Sequence, residues 1–141
     1  MVNMIKKLLI PFLIILLVAG ASVYYYVFIY STQHHRNINK EESVFIVADS
    51  LIQAYGNNET SANAKYLNKV LEIKGVLIDT ATNQQQALTL TMGDKNNLTF
   101  VYVTLNSLPT ASFKLGDSIK VKGVCAGLLS DIVINDAVLI K

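Results

Sequence analysis

Residues 70–79, VLEIKGVLID, decide the fold, because hydrophobic and polar side chains begin to alternate there with a period of two. Four later runs continue this pattern and are rich in Val, Ile, Leu or Thr: ALTLTM (87–92), LTFVYVTL (98–105), SIKVKGVCAG (118–127) and IVINDAVLI (132–140). The segments between the runs are rich in Gly, Asn, Asp, Ser or Pro, which favour turns and loops. The sequence therefore predicts five short strands within residues 70–141.

The spacing of these strands favours a closed barrel. Gly75 and Gly123 interrupt the first and fourth runs, which is typical of a bulge or a sharp bend where a small sheet curls. The third and fourth runs are joined by the longest connection, which contains Pro109. Such a pattern is typical of a five-stranded oligonucleotide/oligosaccharide-binding (OB) barrel. A seven-stranded immunoglobulin-like sandwich needs about 100 residues, more than remain after Val70.

Upstream of the barrel, residues 44–69 are predicted to be helical. An apolar stripe at i, i+3, i+4 and i+7 indicates an amphipathic helix that ends near Gly56. The stripe consists of Ala48, Leu51, Ile52 and Tyr55. Asn58 is expected to cap a second short helix, and Asn68 to end it, because Asn tolerates the left-handed conformation that follows a helix. These helices are expected to cover part of the barrel.

The N-terminal part of the chain predicts a membrane anchor. Residues 8–30, LLIPFLIILLVAGASVYYYVFIY, contain no charged residue, Asn or Gln, and about 20 apolar residues suffice to cross a bilayer. A tail (1–7) precedes this transmembrane helix, and a polar juxtamembrane linker (31–43) follows it. The side chains expected at the membrane interface are Lys6, Lys7, Tyr24, Tyr25, Tyr26, Tyr30 and Arg36.

A cleaved signal peptide is the competing interpretation of this segment, since Ala19-Gly20-Ala21 resembles a cleavage site. The apolar residues that follow Ala21 favour an uncleaved anchor, because they continue the span instead of starting a mature domain. The amino terminus, Lys6 and Lys7 outnumber Arg36 and Lys40 near the span. By the positive-inside rule, this bias predicts a single-pass cell-membrane protein whose barrel lies on the extracytoplasmic (periplasmic) side.

The composition narrows the class of protein. The chain has 141 residues, of which 52% are hydrophobic and 16% charged, so global disorder is excluded. A single cysteine excludes an internal disulfide framework. There are twelve basic and ten acidic residues, and only Lys6 and Lys7 precede the span, so the part beyond it has no net charge. This neutrality argues against nucleic acid as a partner, because phosphate contacts dominate such affinity.

No pattern predicts catalysis, a metal or a cofactor. His34 and His35, the only histidines, are adjacent and therefore point apart, and no Cys or carboxylate pattern accompanies them. Cys125 lies on the same strand face as Ile119 and Val121, so it is expected to be a buried small hydrophobe and not a nucleophile. No catalytic or nucleotide-binding motif is present, and we expect no enzyme activity.

Five residues form the predicted ligand face. Lys74, Lys120 and Lys122 are expected to share one region of the sheet, and Phe100 and Tyr102 share one face of the third predicted strand. These two rings could form a stacking platform for single-stranded nucleic acid. The favoured interpretation is that they fill the barrel or pack beneath the upstream helix.

Three segments resemble the tRNA_anti-like OB-fold family, whose membrane-anchored members are common in Bacteroidetes. They are ANAKYLNKVLEIKG (62–75), GDSIKVKGVCAG (116–127) and DIVIN (131–135), and the resemblance covers about residues 44–141. It implies an OB fold, while the family name does not establish RNA binding. Related chains often have cysteines near the third and last strands, where this chain has Val103 and Ala137. The resemblance therefore implies no shared disulfide here.

The sequence predicts an N-terminal transmembrane helix followed by a mainly-β OB barrel with a helical segment before it. The predicted function is a membrane-anchored, non-enzymatic binding module of the cell envelope, whose partners are the lipid bilayer, through residues 8–30, and a peptide, glycan or partner protein. Two alternatives are a module for single-stranded nucleic acid and a structural subunit of an envelope complex. Fold alone does not identify the ligand.

Overall fold

The computed structural model describes residues 2–30, 38–109 and 112–140, with the backbone alone for residues 2–10 and 29–30. The chain divides into two compact units, Met1–Arg36 and Asn37–Lys141.

The described part of the first unit, residues 2–30, is one long apolar helix. Helix α1 (Val2–Tyr24) contains Pro11 and continues into a π-helical segment, Tyr25–Tyr30. The 18 residues Pro11–Phe28 have a mean hydropathy of 2.0, and none is buried. By length and composition this helix is a candidate membrane span, a test that a signal sequence would also pass.

Within residues 38–109 and 112–140, the second unit contains six strands and two helices. In chain order these are β1 (Val44–Val47), α2 (Ala48–Asn57), α3 (Glu59–Tyr66), β2 (Val70–Thr82), β3 (Leu88–Met92), β4 (Val101–Leu105), β5 (Ser118–Leu128) and β6 (Ile132–Ile140). Strands β2 to β6 form a closed barrel in the order β2-β3-β4-β6-β5, and β5 pairs back to β2. All barrel pairs are antiparallel except β4–β6, which is parallel. The predicted five-stranded OB-type barrel is thus confirmed.

One strand was not predicted. The segment 44–69, expected to be helical, begins with β1, which pairs in parallel with β2 outside the barrel. The prediction was wrong for these four residues because their run, VFIV, is apolar throughout and carries neither a helical nor a strand period. Pairing with β2 gives the run its extended conformation.

Gly123 and Asp136 allow β5 and β6 to curve around the core. A Cβ at Gly123 would lie 2.6 Å from Cγ2 of Ile134 and 2.8 Å from Cβ of Ala137, so only glycine permits this approach. The register of the β5–β6 pair shifts between Lys122 and Val124, which marks the bulge predicted at Gly123. Asp136 lies on the exposed side of this irregularity with a left-handed φ of 52°.

Gly75 allows β2 and the start of α2 to approach each other closely. A Cβ there would lie 2.7 Å from Cβ of Ala48, so its absence admits the first residue of α2. The caps of α3 are as predicted: Oδ1 of Asn58 accepts a hydrogen bond from the Ser61 amide at 2.9 Å, and Asn68 has a φ of 60°. The amide of Asn68 then donates to the carbonyl of Cys125 at 2.8 Å, which leads the chain into β2 beside β5.

The helices and the barrel share one hydrophobic core, which confirms the predicted helical cover. Five buried side chains of the helices belong to the same cluster as the inner residues of the barrel: Ala48, Leu51, Tyr55, Ala62 and Tyr66. The largest fully buried side chains of the barrel are Leu71, Ile73, Leu77, Leu90, Met92, Ile132 and Ile134. Burying each side chain of this size contributes about 1.5–3 kcal/mol to folding.

Candidate functional site

Three predicted ligand residues lie together on the outer surface of β2 and β5. Lys74 is directly opposite Lys120 across the antiparallel pair. Glu72 is opposite Lys122 in the next row. The alternate residues of both strands point into the barrel and are fully buried: Leu71, Ile73 and Val121. We call the outward-facing set, Glu72, Lys74, Lys120 and Lys122, the lysine face.

The lysines of this face have different partners. Nζ of Lys120 lies 3.9 Å from Oε1 of Glu72, and such a solvated ion pair contributes at most about 1 kcal/mol. Nζ of Lys122 donates to the carbonyl of Glu41 at 2.7 Å and lies 3.5 Å from the carbonyl of Asn39. Lys122 therefore holds the chain that precedes β1, while Lys74 is exposed.

A groove of about 820 Å³ adjoins the lysine face. Its lining includes the charged residues Lys74, Lys120 and Asp117 and the apolar residues Leu108 and Phe113 from the connection between β4 and β5. Its volume is within the usual range of small-molecule sites, about 300–1,000 Å³. Charged and apolar side chains together suit a ligand that has both a polar and an apolar part.

Phe100 and Tyr102 do not fill the barrel. Val101 and Val103 point inward and are fully buried, and Tyr102 lies half-buried on the outer surface. Of the two positions expected for these rings, inside the barrel or beneath the upstream helix, the structure does not show the first. Phe100 lies just before β4, and both its ring and the side chain of Ile52 in α2 adjoin Gly93: a Cβ at Gly93 would be 3.5 Å from Cδ1 of Phe100 and 3.2 Å from Cδ1 of Ile52.

The structure separates the two aromatic residues from the lysines. Tyr102 is adjacent to Val133 on β6, whereas Lys122 is adjacent to Val138 on the same strand. Five residues of strand correspond to about 16 Å along β6. The five predicted ligand residues thus divide between two surfaces of the barrel.

The second surface is neutral and polar. Thr91 lies opposite Tyr102, and Thr89 lies opposite Thr104. We call these four residues the threonine face. The three threonines were not among the predicted ligand residues, although the alternation of Thr89 and Thr91 with Leu90, and of Thr104 with Val103, is the signal that places them on one side. Thr89 is buried, and its hydroxyl donates to the carbonyl of Ala81 at 3.1 Å.

Ordered loops flank the threonine face. In loop 83–87, Oδ1 of Asn83 accepts hydrogen bonds from the amides of Gln85 and Ala87 at 3.0 and 2.9 Å. In loop 129–131, Oδ1 of Asp131 accepts from the amide of Phe100 at 2.9 Å. In an OB barrel of this strand order, the face of the second and third strands and these two connections form the usual ligand surface. Here they contain neither Lys nor Arg.

Cys125 is buried, as predicted, and its sulfur has a polar neighbour. The Tyr55 hydroxyl lies 3.4 Å from Sγ of Cys125 and donates to Oδ1 of Asn63 at 3.1 Å. Burial, with smaller contributions from the contact with Cys125, raises the pKa of the Tyr55 phenol far above its usual value. This arrangement joins the helices to the barrel and offers no accessible thiol.

Within the described part of the chain, no group of three His, Cys, Asp or Glu side chains could hold a metal ion. His34, His35 and Arg36 lie outside the described residues. Among the predicted interface residues, Tyr24, Tyr25 and Tyr26 are exposed near the end of the apolar helix. The side chains of Lys6, Lys7 and Tyr30 lie outside the described set.

Comparison with known proteins gives a family match and a similar fold. The family model described as tRNA_anti-like matches residues 1–138. A solved structure from Klebsiella pneumoniae subsp. pneumoniae MGH 78578, named provisionally as a nucleic acid-binding lipoprotein, has a TM-score of 0.55 and 15% sequence identity. The match covers 69% of this chain and 92% of that chain, and at this identity it is a likeness of fold. No curated protein matches the chain.

Proposed function

The chain belongs to the tRNA_anti-like family, and on that basis we propose that it is a membrane-anchored, non-enzymatic binding module. Its OB barrel takes an uncharged ligand, namely a glycan, a peptide or a segment of a partner protein, on the threonine face. The apolar helix serves as the anchor and keeps the barrel at the extracytoplasmic surface of the cell membrane.

One observation carries the choice of ligand class. Strands β3 and β4 and loops 83–87 and 129–131 contain no Lys or Arg, so the usual ligand surface of the fold has no cation for a phosphate. Binding of single-stranded nucleic acid depends on a basic groove that follows the backbone. The half-buried side chains of Thr91, Thr104 and Tyr102, together with the exposed side-chain amides of residues 84–86, all Gln, instead suit neutral hydrogen-bonding ligands.

A module for single-stranded nucleic acid is the second candidate, and the lysine face favours it. The similar protein from Klebsiella pneumoniae carries a nucleic-acid-binding name, which describes that protein. On this alternative, the strand would lie across Lys74 and Lys120 and not across the threonine face. The two candidates therefore differ both in the surface used and in the salt dependence of binding.

Binding by the full-length protein in lipid nanodiscs tests the proposal. The probes are a glycan array, a peptide array and a labelled single-stranded DNA of about 16 nucleotides, the upper site size of one OB barrel. We expect retention of a neutral glycan or peptide that persists at high salt and is lost in Tyr102→Ala. Leu98→Ala, at a fully exposed position before β4, is the matched control and should bind normally.

DNA binding that weakens steeply with salt and survives Tyr102→Ala would contradict the proposal and support the second candidate. Loss of glycan or peptide binding in Leu98→Ala as well would contradict the assignment to the threonine face.

A further inference from the structure

The chain enters the barrel unit across the lysine face. The carbonyls of Asn39 and Glu41 approach Nζ of Lys122, at 3.5 and 2.7 Å. Ile38, just before them, is buried although it lies outside the barrel core. The polypeptide that leads from the apolar helix is therefore attached to the outer side of β5, directly before it forms β1.

Exposed apolar side chains surround the two lysines that remain outward-facing. They are Phe45 (58% exposed), Val47 (40%), Val76 (46%), Leu108 (78%) and Leu115 (61%). Phe45 and Val47 are in register with Glu72 and Lys74, so they extend the same outer surface by one strand. Leu115 precedes Gly116, whose amide donates to the carbonyl of Leu77 at 2.8 Å, so the backbone of this turn lies beside β2.

We infer that this surface docks onto an anionic lipid bilayer. Lys74 and Lys120 meet the headgroups, and Phe45, Leu108 and Leu115 enter the interfacial region beneath them. A cluster of exposed apolar side chains on a small domain marks an interaction surface, and lysines among them fit a negatively charged partner. The inference rests on the proposed function, because it takes the apolar helix to be the anchor.

The length of the connection favours lipid as the partner. Only residues 31–37 separate the end of the apolar helix at Tyr30 from Ile38 on the barrel unit. Seven residues reach at most about 25 Å when fully extended. The anchor keeps the barrel within that distance of the bilayer, and the connection meets the barrel at the lysine face. The lysines of this face therefore encounter headgroups at a high effective concentration.

The distribution of charge on the barrel unit also favours an anionic lipid surface as the partner. The part of the chain beyond the span is neutral as a whole, whereas the lysine face has three Lys and one Glu, with Asp117 in the adjoining groove. Lys122 is bonded to the entering chain, Lys74 is exposed, and the solvated ion pair of Lys120 with Glu72 is weak enough to exchange for a headgroup. Each Lys near an anionic surface contributes about 5-fold to the docking equilibrium, so the pair contributes about 25-fold.

A tryptophan reporter tests the inference, because the natural chain contains no Trp. The full-length Phe45→Trp variant is inserted into vesicles of phosphatidylcholine with phosphatidylglycerol, whose acyl chains carry bromine as a contact quencher. We expect strong quenching of Phe45→Trp and little quenching of Leu98→Trp, a reporter at a fully exposed position outside this surface. Val76→Trp is a second reporter on the lysine face and should be quenched as well.

Charge variants then test the role of the two lysines. Adding Lys74→Gln and Lys120→Gln to the reporter should lower the docking constant about 25-fold, while Lys65→Gln with Lys95→Gln should leave it unchanged. Pure phosphatidylcholine vesicles should reduce quenching as the double variant does.

Flotation of the vesicles separates failure of the anchor from failure of the docking. Protein that does not float contradicts the proposed anchor. Protein that floats with equal quenching at positions 45 and 98 overturns the docking inference and leaves this surface for a protein or nucleic-acid partner. Quenching that is insensitive to Lys74→Gln with Lys120→Gln overturns the role of anionic headgroups.

Discussion

The hydroxyl of Tyr55 lies 3.4 Å from the sulfur of Cys125, and this buried contact joins α2 to the inner side of β5. The same hydroxyl donates to Oδ1 of Asn63 on α3 at 3.1 Å. One side chain thus links both helices to the barrel. Since polar atoms in a core require partners, this link specifies how the helices sit on the barrel as well as stabilising them.

Removing this hydroxyl should destabilise the barrel without unfolding it. Tyr55→Phe leaves Asn63 and Cys125 without their shared partner and should lower the free energy of unfolding by about 1 kcal/mol. Urea unfolding of the full-length protein in detergent, followed by circular dichroism, measures the change. Tyr102→Phe, at a half-exposed ring, is the control and should change stability by less than about 0.5 kcal/mol. Equal losses in both variants would contradict the role given to Tyr55.

Stability should fall at alkaline pH partly because of Tyr55. Burial raises the pKa of its phenol in the folded protein, whereas in the unfolded chain the pKa is about 10. The stabilisation is therefore fully present below pH ~10 and is lost above it, because only the unfolded chain then releases the proton. The slope reaches about 1.4 kcal/mol per pH unit for this one group.

The difference in unfolding free energy between the natural protein and Tyr55→Phe isolates this effect from other titrating groups. We expect that difference to shrink between about pH 9 and about pH 11. If the unfolding free energies of the two proteins change in parallel with pH over this range, the phenol does not remain protonated in the folded state.

The close approach at Gly123 predicts a steric cost. In Gly123→Ala the new methyl group would lie 2.6 Å from Ile134 and 2.8 Å from Ala137, so the free energy of unfolding should drop by about 1–3 kcal/mol. Gly56→Ala, in α2 with nothing within 4 Å of the added carbon, should instead stabilise by about 0.5–1 kcal/mol. Thermal unfolding of both variants checks the pair, and a neutral Gly123→Ala would argue against the observed curvature.

At the N-cap of α3, a conservative substitution should preserve the stability that an alanine removes. Asn58→Ala loses the hydrogen bond to the Ser61 amide and should cost about 1 kcal/mol. Asn58→Asp keeps an acceptor at the same place and should retain most of the stability. Hydrogen exchange of the amides in α3 measures the local effect, and equal exchange in both variants would contradict the cap.

The barrel strands could be predicted because alternation in the sequence matches the alternation of inner and outer side chains. In β5, buried Val121 and Cys125 alternate with half-exposed Lys120 and Lys122, and this pattern can be recognised in the amino-acid sequence alone. The same reasoning could not place Tyr102. Its strand has apolar residues on both sides, so the sequence could not decide whether the aromatic ring or the valines face the core.

The arrangement of surfaces could not be predicted from local pattern. That Lys74 lies opposite Lys120 depends on the register of β2 with β5, which are separated by two intervening strands in the chain. The bond from Lys122 to the carbonyl of Glu41 joins segments 81 residues apart. Such relationships arise from barrel closure, so only the folded structure shows that the ligand residues divide between a lysine face and a threonine face.

The mass of the protein in washed membranes tests the proposed anchor most directly. Membranes from cells that express the full chain are extracted with alkaline carbonate, and the intact mass of the retained protein is measured. We expect the 15.5 kDa chain to stay with the membrane and to keep residues 1–21. Release into the wash, or a mass that lacks those residues, would contradict a barrel held at the bilayer by its own N-terminal helix.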